Sequence, residues 1–115
     1  MRVLLAGAVA ASMVACGARA EMAETSQDIK CVAAYSHLIG MATDEAAKGG
    51  LEIELFYYQG RIEGREAEFD LAPALKREIL AMSEEDVVAE GERCQSRLQA
   101  KSRQMQAMGK SMADQ

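Results

Sequence analysis

Beyond Ser83, apolar side chains return every three or four residues: Val87, Cys94, Leu98, Met105, Met108 and Met112, with Gly91 filling one step and Lys101 breaking the series. That spacing draws one face of an α-helix and fits no strand. Ser83 with Asp86 three residues on gives a capping box at its start. Acids crowd the first turns (Glu84, Glu85, Asp86) and bases the later ones (Arg93, Arg97, Lys101, Arg103, Lys110), as the helix dipole favours. The spacing predicts a helix over 84–112, roughly 40 Å long, with a stripe that needs a cover.

Three further helices are predicted. Cys31, Tyr35, Leu38 and Ala42 share a face in 26–48, started by a Thr25/Asp28 capping box and ended by Gly49-Gly50. Residues 51–63 are ambiguous. Leu51 to Leu55 alternate like a strand, whereas Leu51, Leu55, Tyr58 and Ile62 make a helical stripe. A lone strand would have no pairing partner in so helical a chain, so helix is the reading taken. Asp70 caps a short helix over 71–82, with Pro73 in its first turn and Leu71, Leu75, Ile79 and Met82 as its buried side. Lys101 inside the last stripe predicts that the final helix outruns the bundle near that point, leaving its Met-bearing end exposed.

The first twenty residues have the layout of an export signal: Met1-Arg2, an apolar run from Val3 to Ala15, and Ala18-Arg19-Ala20 as a cleavage site. The run is too short to span a bilayer as a mature helix. Cleavage after Ala20 leaves a single domain, 21–115, placed in the periplasm or secreted. The alternative start is Cys16 as a lipidated first residue, the one route to membrane anchoring. With Arg2 and Arg19 removed, 11 bases face 18 acids, a net charge of −7. Such a charge argues against nucleic acid as a partner. The last 23 residues oppose the trend, with five bases and one acid. The simplest account sets those basic turns against acidic neighbours within the molecule.

Cys31 and Cys94 remain after cleavage, and in an exported chain an even count reads as a disulfide. The ring would hold about 64 residues, worth roughly 4 kcal/mol in the chain-entropy account. Neither a Cys-x-x-Cys redox pair nor a zinc-ligand spacing occurs. The expected fold is therefore a small all-α four-helix bundle with one disulfide joining its first and last helices.

Catalytic chemistry finds few players. His37 is the only histidine and has no nucleophile–base–orienter set around it, so no enzyme and no cofactor is expected. Met105, Met108 and Met112, with His37 and Met41 as a further pair, would suit soft copper(I) and give a copper-binding alternative. In a heptad stripe methionine more often serves as core or as an adaptable contact surface. Tyr57-Tyr58-Gln59-Gly60-Arg61 and Gly64-Arg65 set aromatics beside guanidinium groups. A phosphate or sugar site is one reading; tyrosines covering the core with wet hydroxyls, and Arg61 or Arg65 paired with an acid, is the plainer one.

The cleaved signal, Cys31 in the first mature helix, the Tyr57-Tyr58-Gln59-Gly60-Arg61 run and Arg93-Cys94 together resemble a family of small secreted helical proteins from alphaproteobacteria. That likeness spans most of the mature chain and implies no activity. The layout is also similar to periplasmic acid-stress chaperones of the HdeA type, small helical domains with one disulfide that bind unfolded clients through apolar surface. A longer loop between the cysteines and a Met-rich tail set this chain apart from them. The expectation is a non-enzymatic envelope protein, chaperone-like, that binds a protein partner through Met105, Met108 and Met112.

Overall fold

The computed structural model describes the backbone of residues 7–115 and the side chains of residues 23–115. The export signal, the cleavage after Ala20 and the lipidation of Cys16 lie outside the described side chains. Four helices follow one another: α1 Gly7–Met41, α2 Glu45–Arg65, α3 Leu71–Ala81 and α4 Glu84–Ala113. The architecture is all-α, and Cys31 of α1 is disulfide-bonded to Cys94 of α4. The stretch that could have been a strand, 51–58, is helical.

α1 is the element on which the other three pack. Leu38 meets Gly91, Cys31 meets Cys94 and Asp28 meets Arg97, so α4 runs antiparallel to α1. Tyr35 stacks on Tyr58 and Thr25 meets Arg65, so α2 is antiparallel to α1 as well and parallel to α4. α3 runs alongside α1 in the same direction, with His37 beside Ile79. The core is narrow: Ile29, Cys31, Val32 and Tyr35 from α1, Tyr58 and Ile62 from α2, Ala74 from α3, Val87 and Cys94 from α4. Gly91 serves the packing directly. A Cβ there would lie 2.9 Å from Leu38 Cδ1, so the missing side chain lets α4 approach α1.

Several boundaries differ from those the sequence suggests. The first helix ends at Met41, and the chain turns through residues 42–44. Asp44 then caps α2, accepting a hydrogen bond from the Ala47 amide at 3.2 Å. Gly49 and Gly50 therefore sit inside α2 instead of ending α1, and no neighbour lies close enough to demand glycine at either position. The Thr25/Asp28 capping box is likewise overturned. α1 passes through both residues without a break, and both side chains are turned inward to arginines. Asp70 stands at the start of α3 but makes no side-chain cap. On α3 it is Ala74 that is buried, while Leu71, Leu75, Ile79 and Met82 are half-buried, because a small residue allows close approach to α1. The Ser83/Asp86 box on α4 forms in full, with bonds of 3.1 and 3.0 Å. Those bonds hold the Asp86 carboxyl below its usual value.

Candidate functional site

Two regions of the molecule carry polar or exposed chemistry, and they meet near Lys101. The first is built on Asp28. One turn before Cys31, this carboxylate is wholly buried, and burial without partners would be costly. Three arginines supply the partners. Arg61 Nε donates to Oδ2 at 3.1 Å, Arg65 Nη2 makes a short contact with the same oxygen, and Arg97 Nη2 reaches Oδ1 at 3.5 Å. Arg61 and Arg65 lie four residues apart on one face of α2, while Arg97 enters from α4. Arg65 also donates to Thr25 Oγ1 at 3.1 Å, and Glu24 stands 3.8–4.0 Å from Arg65 and Arg61 at the rim. The cluster ties three helices through one carboxylate. Burial works against the Arg61 charge, yet the hydrogen bond and charge of Asp28 outweigh it and raise the Arg61 pKa.

The tyrosines complete this region. Tyr58 is fully buried, and its hydroxyl donates to the Cys94 carbonyl at 2.6 Å; it is not the wet hydroxyl expected from its sequence context. The Arg97 guanidinium lies 5.5 Å from the Tyr58 ring centre, and Arg61 lies 6.0 Å from that of Tyr57. Burial pushes the Tyr58 pKa up, with Arg97 opposing it. The Tyr35 hydroxyl is buried without a hydrogen bond of ordinary geometry, and its pKa is pushed up first by burial and then by Glu54. Arg93 pairs with Glu90, and its Nη2 lies 4.0 and 3.9 Å from the two disulfide sulfurs, which are themselves wholly buried.

The second region is the distal half of α4. Leu98 is the last residue of the helix with partial cover, and residues 99–115 are all exposed. Met105, Met108 and Met112 are 55, 50 and 67% exposed on one face, so the anticipated projection past the bundle is present. Register shows where α2 leaves α4. Tyr58 is level with Cys94 on the parallel α2–α4 pair, which places Arg65, the last residue of α2, level with Lys101. Past that point α2 has no surface to offer. The idea that the basic turns of α4 rest on internal acids holds only in part: Arg93 and Arg97 do so, whereas Lys101, Arg103 and Lys110 make no ion pair among the described residues.

His37 approaches the Ile79 carbonyl at 3.4 Å on the α3 side, and Met41 is exposed at the end of α1. Among the described residues no group of three or more histidine, cysteine or acidic side chains is arranged to hold a metal ion. No helix among them is long and apolar enough to cross a membrane. Sequence reasoning missed the role of Asp28 and Arg97 altogether. It also missed the exposed Ile53 and Phe56 on the outer face of α2, whose spacing of three was visible in the chain. No protein-family model matches the chain, and neither a curated protein nor a solved structure shows significant similarity to it.

Proposed function

We propose that this is a non-enzymatic envelope protein that captures a protein partner, in chaperone-like fashion, through the projecting end of α4. The observation that carries the reading is the pairing of apolar and basic character on that end. Met105, Met108 and Met112 form a bare, adaptable stripe, and Lys101, Arg103 and Lys110 flank it with no ion pair to an acid among the described residues. A helix presenting side chains at such spacing suits an apolar groove or an unfolded segment. The charges select an acidic occupant, and two copies of the same basic end would repel each other. The partner is accordingly an acidic chain with exposed apolar residues.

Carboxymethylated α-lactalbumin, permanently unfolded and acidic, is a suitable probe. The oxidised protein is expected to bind it saturably, with binding weakened at least about tenfold in a Met105→Ser/Met108→Ser/Met112→Ser variant. The same variant is expected to keep its far-ultraviolet circular dichroism and melting midpoint, since none of the three side chains belongs to the core. Equal capture by the variant, or none by the parent protein, overturns the proposal.

A further inference from the structure

The Asp28 cluster does not end in the interior. On its outer side α2 and α4 leave a cleft of about 300 Å³ lined by Tyr57, Tyr58, Arg61, Arg97, Lys101 and Gln104, together with Ala100. Three of these side chains are cationic and none is acidic. The one carboxylate that the two arginines share, Asp28, lies buried behind them. Among the described residues of the cluster, four cations (Arg61, Arg65, Arg97, Lys101) stand against two carboxylates, Asp28 and Glu24. This surplus occurs in a chain with a net charge of −5. It is local: a cleft of similar size between α1, α3 and α4 is lined by Glu78, Asp86 and Glu90 against Lys30 alone.

A second observation is independent of the charge count. Arg97 Nη1 is buried and has no hydrogen-bond acceptor among the described residues, although its neighbour Nη2 already reaches Asp28. A guanidinium offers five donors in a fixed plane, and a buried donor left over is a costly thing to keep. The two arginines are also held against tyrosine rings, Arg61 on Tyr57 and Arg97 on Tyr58, so their forks are oriented before any ligand arrives. An oxygen acceptor entering the cleft would meet the accessible third of the Arg61 and Arg97 side chains, the Lys101 ammonium and the Gln104 amide, with Arg97 Nη1 just beneath the surface.

We infer that the cleft between α2 and α4 is an oxyanion site, taking the phosphate or carboxylate group of a small ligand on Arg61, Arg97 and Lys101. The planar guanidinium pair supplies bidentate recognition, and Lys101 adds a mobile charge at the mouth. Its volume is near the lower end for ligand pockets, which suits a compact anion. The site does not rest on the methionine stripe and would stand if capture by that stripe failed.

Amide and arginine side-chain NMR signals, followed during titration at constant ionic strength, test the assignment. Inorganic phosphate and succinate are the two probes, with sodium chloride as the balancing salt. Saturable shifts confined to Tyr57, Arg61, Arg97, Lys101 and Gln104 are expected. Stronger binding of phosphate identifies a phosphate site and stronger binding of succinate a dicarboxylate site. Lys101→Gln, an exposed position outside the core, is expected to weaken binding about fivefold without moving the melting midpoint. Gln104→Ala gives a second, equally exposed variant. Shifts that neither probe saturates, that chloride reproduces, or that Lys101→Gln leaves unchanged would overturn the inference.

Discussion

Residues 84–98 and 99–113 of α4 continue one heptad stripe, yet they live in different surroundings. The first half buries Val87, Gly91 and Cys94 against α1, is joined to it by a disulfide, and sends Arg97 to the buried Asp28. The second half buries nothing. The residue types along the stripe do not account for this difference, since methionine is as apolar as much of the core. One neighbour does stop at this point: α2 ends at Arg65, level with Lys101, although α1, the helix on which α4 packs, continues to Gly7. Hydrophobic periodicity therefore specifies a face but not how much of it the neighbouring helices cover.

The sharpest break of this contrast is at the disulfide. A Cys31→Ser/Cys94→Ser variant is expected to lose about 4 kcal/mol, because the bond spans a sequence separation of 63 residues and restricts the unfolded chain. Urea unfolding followed by circular dichroism measures it. A loss below about 1 kcal/mol would mean that the clamped half owes its order to packing alone. Since both sulfurs are wholly buried, reduction by dithiothreitol under native conditions should proceed only as fast as the bundle opens.

Next in size is Asp28→Ala, which leaves Arg61, Arg65 and Arg97 without their buried carboxylate and with only Glu24 at the rim beside Arg61 and Arg65. Removing one partner of a buried ion cluster costs about 3–5 kcal/mol, and the partial exposure of the arginines places this case near 3 kcal/mol. Denaturant midpoints measure it, and a neutral result would show that water enters to replace the carboxylate.

That cluster marks the limit of what the chain reveals when read in order. The stripe, the Ser83/Asp86 cap, the cysteine pair and the end of cover at Lys101 are all legible, because each depends on local spacing or on a count. Asp28 was not. Thr25-x-x-Asp28 matches a capping box as well as it matches an inward-facing pair, and the deciding arginines lie 33 to 69 residues away. The turn at residues 42–44 was missed for a different reason. Gly49-Gly50 is the louder stop signal, yet Asp44 with Glu45 behind it makes the actual helix start, and the packing of Leu51, Leu55 and Tyr58 on α1 carries the helix through both glycines.

The tyrosines give a weaker effect, confined to alkaline solution. Tyr35 and Tyr58 have pKa values above the ordinary 10.0, both mainly through burial. Their contribution to stability is thus complete below pH 10 and is lost as pH rises and the unfolded chain alone ionises. Helix content and tyrosinate absorbance, followed together, should change in one cooperative step above pH 10. Tyr35→Phe is expected to move that step upward; independent, early ionisation of both rings would show the core to be open.

The smallest effect is expected where the exposed half is removed altogether. A chain ending at Ala100 loses fifteen residues, none of which is buried; of the side chains near Tyr58 it removes only Lys101 and Gln104 at the cleft. Its unfolding free energy should change by less than about 1 kcal/mol, since only exposed side chains are lost. The total helical signal should fall by the share of the missing turns. Two outcomes would separate the possible failures. A loss above about 2 kcal/mol at every protein concentration would mean that the end of α4 folds back on its own bundle. A loss seen only in concentrated solution would mean that the stripe is covered by another copy, since association stabilises by mass action. An unchanged midpoint at all concentrations leaves the methionine stripe bare in the free protein, which is the condition that capture of a partner requires.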